Sequence, residues 1–122
     1  MKIVVADDDP VARLLIEATL LSRGHQVIAC ADGEAAWDAI ADCGASIVVS
    51  DWMMPGMDGL ELCRRLRDSN FKVYFILVSS TVNTPLRERQ AVEAGVNDVI
   101  LKPAMPDVLC EHLRLAEQLC VA

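Results

Sequence analysis

Four short patches hold the residues with chemistry to offer. They are Asp7-Asp8, Asp51 within Ile47-Val48-Val49-Ser50-Asp51-Trp52-Met53-Met54-Pro55-Gly56, the hydroxyls Ser79-Ser80, and Lys102-Pro103. Three carboxylates drawn to one place repel, a pair about 5 Å apart costing roughly 3 kcal/mol at an effective dielectric near 20. Such a cluster must bind a proton, spread apart or hold a cation. Hard oxygen donors without His or Cys nearby favour Mg²⁺, or Mn²⁺, over zinc. Lys102, one of three lysines in the chain, can bind a phosphate as a point charge. A carboxylate nucleophile, a divalent ion, a lysine and a hydroxyl are the parts needed for phosphoryl transfer to an aspartate.

The elements that must position these groups are legible around them. Apolar runs at Ile3–Ala6, Val27–Cys30, Ile47–Val49, Val73–Val78 and Val99–Leu101 are short and rich in Val and Ile. Runs apolar at every position predict strands buried on both faces of a parallel sheet. Between them Val11, Leu14, Leu15, Ala18 and Leu21 follow the stripe of an amphipathic helix, as do Leu62, Cys63 and Leu66, and Leu109, His112, Leu113, Ala116 and Leu119. Asp9-Pro10 and Thr84-Pro85 each set an N-cap before a proline at the first helical position. Gly24 and Gly95 stand where helices should stop in a left-handed cap. The pattern predicts (βα)5 with right-handed crossovers, and one domain over residues 1–122. Each chemical patch begins where a strand ends, and in an open parallel α/β sheet ligands bind along that edge.

Composition narrows the function classes. The 122 residues are 53% hydrophobic and 24% charged, an ordinary globular balance. A net charge of −7 and a pI near 4.6 argue against nucleic-acid binding. Arg64, Arg65 and Arg67 form the one cationic cluster, most cheaply read as a solvated helix face. The five cysteines, Cys30, Cys43, Cys63, Cys110 and Cys120, show no metal-binding spacing. Cys30 and Cys63 read as small core residues, and Cys120 as a thiol exposed near the terminus. With no signal peptide and no long apolar stretch, the expectation is a cytoplasmic protein with reduced thiols and no membrane partner.

Taken together, Asp7-Asp8-Asp9-Pro10, Ser50-Asp51-Trp52-Met53-Met54-Pro55-Gly56-Met57-Asp58-Gly59, Glu93-Ala94-Gly95 and Lys102-Pro103 resemble the receiver domain of bacterial two-component response regulators. The resemblance covers essentially the whole chain. It implies a flavodoxin-like fold with strand order 2-1-3-4-5, and Asp51 as phospho-acceptor. It further implies Mg²⁺ bound by the side chains of Asp8 and Asp51 and the backbone carbonyl of Met53, with Asp7 acting through a metal-bound water. Lys102 would pair first with Asp51 and then with the phosphoryl oxygens. The implied partners are a sensor histidine kinase or phosphotransfer protein and an output domain or target, with a homodimer compatible.

The switch hydroxyl implied by the resemblance has two candidates. Strand phase selects Ser79, whereas counting back from Gly95 and Lys102 gives Ser80. Ser79 is preferred because strand phase fixes side-chain direction and loops absorb insertions. Two positions depart from the family: Val99 stands where Tyr or Phe is usual, and Ala104 where Phe follows Lys-Pro. The site therefore looks complete while the usual aromatic relay does not.

Plainer roles are expected elsewhere: Asp9 as an N-cap, Asp58-Gly59 as a turn and helix start, Trp37 as core, and Trp52 as partly exposed beside the acceptor. His25 and His112 lack partner motifs and read as surface or helix-face groups, and Met53, Met54 and Met57 read as loop packing. Asp7-Asp8-Asp9-Pro10-Val11 also fits the Asp-x-Asp-x-Val signature of haloacid-dehalogenase-like phosphatases, which would make Asp7 the labelled residue and leave Asp51 unexplained. A receiver belonging to a larger regulator, such as a cyclic-dinucleotide enzyme, and a docking module without turnover are the remaining alternatives. A receiver is not itself an enzyme, apart from slow hydrolysis of its own acyl phosphate.

Overall fold

The computed structural model describes residues 1–80, 84–102 and 107–120. Strands and helices alternate as β1 (Lys2–Ala6), α1 (Pro10–Ser22), β2 (Gln26–Cys30), α2 (Gly33–Cys43), β3 (Ile47–Asp51), α3 (Gly59–Asp68), β4 (Tyr74–Ser79), α4 (Pro85–Ala94), β5 (Asp98–Leu101) and α5 (Asp107–Cys120). All pairings are parallel, in the order β2-β1-β3-β4-β5. This is the (βα)5 alternation read from the residues, in the flavodoxin-like order implied by the resemblance to receiver domains.

Side-chain alternation splits the core in two. Val4, Ala6, Val48, Phe75 and Leu77 pack on one face with Leu62, Cys63 and Leu66 of α3. Ile3, Val5, Ile47, Val49, Ile76 and Ile100 pack on the other with Ile16 and Leu20 of α1 and Leu109, Leu113 and Ala116 of α5. The central strands β3 and β4 are buried throughout, as continuous apolar runs require. The edge strand β2 alternates instead, leaving Ile28 exposed.

Local signals set most helix ends. The Asp9 carboxylate accepts from the Val11 N–H at 3.0 Å, and the Thr84 hydroxyl from the Arg87 N–H at 3.2 Å. Asp58 caps α3 through the Glu61 N–H at 2.8 Å. Gly95 ends α4 in the left-handed region at φ +92°, whereas α1 is capped by Arg23 and Gly24 follows at φ +85°.

The face of α1 is a correction. Val11, Leu14, Leu15 and Leu21, chosen by period as its buried stripe, are exposed, and so is Ala18. Ile16 and Leu20 face the sheet instead. The helix is apolar on two sides, so period alone cannot say which side the sheet covers.

Two residues expected to be simple surface groups are structural. Arg67 donates to the Gly95 carbonyl from Nε and Nη2 at 3.1 and 2.9 Å, to the Phe71 carbonyl at 2.9 Å and to Asn97 Oδ1 at 2.8 Å. His25 is buried, with Nδ1 3.3 Å from the N-terminal amine and Nε2 3.6 Å from Glu117 of α5, which also pairs with Arg23. His112 on α5 pairs with Asp98 of β5. Among the cysteines, Cys30 and Cys63 are buried as expected, and burial pushes the Cys63 thiol up to about 11. Cys120 is half-buried, with Sγ 3.7 Å from the Ser46 carbonyl, rather than exposed.

Candidate functional site

The carboxyl edge of the sheet collects the predicted groups. Asp7 follows the last residue of β1, Asp51 ends β3, and Lys102 follows β5. Counting by two from Val5, Val49 and Ile100 puts all three on the phase of the α1/α5 face, which is why strands this far apart in sequence bring them together. Lys102 Nζ lies 3.2 Å from Asp51 Oδ2 and 3.2 Å from Asp7 Oδ2. Asp8 is exposed at the rim, yet its carboxylate and those of Asp7 and Asp51 each place an oxygen within 4.8 Å of the others.

Burial is uneven across this cluster. Asp7 is fully buried and Asp51 is 6% exposed. Asp7 Oδ1 accepts from the Asp9 N–H at 3.0 Å, while its Oδ2 has no hydrogen-bond partner among the described residues despite the nearby ammonium. Burial pushes the Asp51 carboxyl above the ordinary aspartate range and the charge of Asp7 adds to this, against the opposing pull of Lys102. Burial works to lower the Lys102 ammonium, but its bond to Asp51 and the charges of Asp7 and Asp51 hold it above the ordinary lysine range. When all three acids are ionised, one ammonium leaves two negative charges, which a divalent cation would balance. The buried oxygen without a hydrogen bond and the all-carboxylate donor set both fit Mg²⁺.

The loop after Asp51 is gripped from three sides. The Trp52 N–H donates to the Val78 carbonyl at 2.8 Å, and the Trp52 carbonyl accepts from the Gly59 N–H at 2.9 Å. A β-carbon on Gly59 would lie 2.2 Å from the Asp51 carbonyl oxygen, and one on Gly33 would lie 2.5 Å from the Met57 carbonyl oxygen. Both glycines therefore admit backbone contact that any other residue would block. Read from the sequence, they look like ordinary helix starts. Met54 is buried, Met57 half-buried and Met53 60% exposed, so the methionines divide between packing and the open rim.

Trp52 is 5% exposed rather than partly open, and the Arg87 guanidinium sits 5.0 Å over its ring. Trp37 is half-buried at the core's edge, meeting Phe71 edge-on at 5.7 Å with Arg65 4.3 Å over it. Ser79 closes β4 and is 1% exposed, whereas Ser80 is exposed in the bend that follows. Val99 is partly buried against the α3/α4 side of the core. Pro103 and Ala104 lie outside the described residues.

A doubly wound parallel α/β fold with an acidic pocket and one lysine at its carboxyl edge has the charges to receive a phosphoryl group and a divalent ion. Comparison with known proteins makes this specific. The response regulator receiver domain family matches residues 3–114, and the chain belongs to that family. It is similar to the chemotaxis protein CheY1 of Helicobacter pylori, with 36% identity over 94% of this chain and 95% of that protein. A response regulator receiver domain from Francisella superposes with a TM-score of 0.89 at 27% identity, covering 96% of each chain. The beryllofluoride-activated N-terminal receiver domain of Klebsiella pneumoniae RstA does so at 0.86 and 35% identity, covering 95% of this chain and 97% of that one. This chain is thus a CheY-like response regulator receiver domain, and the phosphatase alternative is not favoured. No helix among the described residues is long and apolar enough to cross a membrane.

Proposed function

We propose that the chain is one receiver domain, residues 1–122, that accepts a phosphoryl group on Asp51. The reading is carried by Lys102 Nζ standing 3.2 Å from an oxygen of both Asp51 and Asp7 at the sheet edge. The donor is the phosphohistidine of a sensor kinase or phosphotransfer protein. An Asp51 carboxylate oxygen attacks phosphorus, the phosphorus–nitrogen bond breaks, and the imidazole leaves with its electron pair. Lys102, already neutralising Asp51, moves its charge onto the phosphoryl oxygens as they arrive. Asp8, Asp51 and the Met53 carbonyl would hold Mg²⁺, with Asp7 behind them through water. The ion supplies charge neutralisation of the transferring group. Water later attacks the same phosphorus, returning inorganic phosphate and the Asp51 carboxylate in a slow hydrolysis.

Ser79 is the hydroxyl that reports the phosphoryl group, being at the end of β4 and buried beside the pocket's strands. The exposed apolar side of α1, with Val11, Leu14 and Leu15, begins directly after the Asp7–Asp9 loop. A phosphohistidine protein seated there would present its imidazole to Asp51 while burying that face. Function in the cytoplasm follows from this partnership. The test is incubation with acetyl phosphate and Mg²⁺ followed by mass spectrometry: one phosphoryl group on Asp51, lost in Asp51→Asn. Labelling of Asp7 instead would reverse the assignment.

A further inference from the structure

Helix α4 is held unequally at its two ends. Only Ala91 and Ala94 are buried along it, while Leu86 and Val92 are 63% and 74% exposed. Two methyl groups remove little apolar surface from water, so burial anchors this helix weakly. Its C-terminal end is fixed by the two hydrogen bonds from Arg67 to the Gly95 carbonyl. In its first turn the Arg87 guanidinium reaches the acceptor loop, lying 5.0 Å over the Trp52 ring.

Arg87 is an unexpected residue for that turn. A cation at a helix N-terminus opposes the helix dipole, and Glu88 beside it is the residue the dipole favours. The ring face supplies the compensating attraction, because a planar guanidinium stacks on an aromatic quadrupole. The ring is held by burial, Trp52 being 5% exposed, and its backbone by the Val78 carbonyl and the Gly59 N–H. Its backbone is one peptide from Asp51. The Arg87 N–H is also the donor to the Thr84 cap, so the residue joins the cap, the first turn and the acceptor loop.

We propose that Arg87 on Trp52 is a latch coupling the state of Asp51 to the first turn of α4. The proposal rests on Asp51 being the acceptor. In the unmodified protein the stack holds the turn against the acceptor loop. A phosphoryl group on Asp51 brings dense negative charge beside the loop and competes for the guanidinium, which leaves the ring. With the stack broken, the first turn of α4 is released, and phosphorylation is read without an aromatic at position 99.

The test is amide hydrogen exchange across residues 85–94, with and without beryllofluoride and Mg²⁺, in wild type, Arg87→Ala and Arg87→Lys. Labelling of Asp51 by acetyl phosphate is measured in parallel, and circular dichroism checks folding. In wild type the phosphoryl mimic should speed exchange in the first turn by about threefold or more, as a locally opened segment does. Arg87→Ala should exchange at that faster rate from the start and respond no further, while labelling of Asp51 stays within about twofold of wild type, as expected when no acceptor group is altered. Arg87→Lys, with the charge but not the planar stack, should behave like alanine. A wild-type-sized response in Arg87→Ala or Arg87→Lys, with Asp51 labelled, overturns the latch. Failure of wild type to label at Asp51 overturns the acceptor assignment instead. Should Arg87→Ala fold poorly, Trp52→Leu removes the ring from the other side and must give the same constitutive exchange.

Discussion

Gly59 touches Asp51 through backbone alone: a β-carbon there would stand 2.2 Å from the Asp51 carbonyl oxygen, with Leu77 Cδ1 at 2.8 Å. The first residue of α3 is thus wedged against β3, and the Gly59 N–H bond to the Trp52 carbonyl at 2.9 Å ties the helix start to the loop. Gly59→Ala should destabilise the fold by about 1–3 kcal/mol, the range for overpacking a tight site. It should also slow labelling of Asp51, because the loop must shift. Urea titration and the acetyl phosphate reaction check the two effects. Unchanged stability would mean that the wedge relaxes at no cost.

Removing one acid should help the metal-free fold. Asp51→Asn relieves repulsion from Asp7 and Asp8 while Lys102 keeps Asp7 as its partner at 3.2 Å. A gain of about 1–3 kcal/mol is expected in chelator at neutral pH, given the Coulomb cost of close carboxylates. Lys102→Ala should do the reverse, because it strands buried Asp7 beside Asp51. Thermal melts of both variants decide the matter.

Added Mg²⁺ should raise the melting temperature of wild type and leave Asp51→Asn nearly unmoved. A ligand at about 100 times its dissociation constant contributes roughly 2.7 kcal/mol by linkage. The fluorescence of Trp52 should change over the same titration, read in a Trp37→Phe background so that one indole reports. Absence of both responses at millimolar metal would falsify the pocket as a cation site.

The contact between α5 and the α1–β2 turn should depend on pH in a defined direction. Burial tends to raise the Glu117 carboxyl, but the hydrogen bond and charge of Arg23, with His25 adding, hold it below the ordinary glutamate range. A carboxyl depressed in the folded state stabilises above its unfolded value and loses that contribution as pH falls through the folded one. Wild type should therefore exceed Glu117→Gln by about 0.5–1 kcal/mol at neutral pH, as for partly exposed ion pairs. The gap should close on acidification below the glutamate range, and a constant gap would show that the pair contributes nothing through its charge.

The exposed side of α1 is where the proposed docking can be tested apart from the chemistry. Leu14 is 65% exposed, so Leu14→Glu should change stability by less than about 0.5 kcal/mol. It should leave labelling by acetyl phosphate intact while slowing transfer from a phosphohistidine protein. Equal rates from the protein donor would remove α1 from the docking surface.

What the sequence disclosed and what it hid divide along physical lines. Short Val- and Ile-rich runs and the caps at Asp9 and Thr84 are local, and they located every strand and two helix starts within a residue or two. The meeting of Asp7, Asp51 and Lys102 followed from strand phase once the sheet order was known. The buried side of α1 was not readable, because Leu14 and Leu15 repeat as regularly as Ile16 and Leu20 and only the sheet chooses between them. His25 looked like surface because its partner Glu117 is 92 positions away. The tight approaches at Gly33 and Gly59 were hidden too, since a glycine opening a helix carries no sign of what presses on it.

The anchoring of the Gly95 carbonyl by Arg67 fixes where α4 can hinge. Two hydrogen bonds clamp the far end of the helix, so an α4 released at its first turn can also swing about that clamp. A helix of ten residues spans about 15 Å at its ordinary rise per residue. A tilt of a few degrees at Arg67 therefore becomes a displacement of an ångström or so at Pro85, by lever geometry along that length. The protein's exterior would register events at Asp51 as rotation, with the pivot on the opposite edge of the sheet from the pocket.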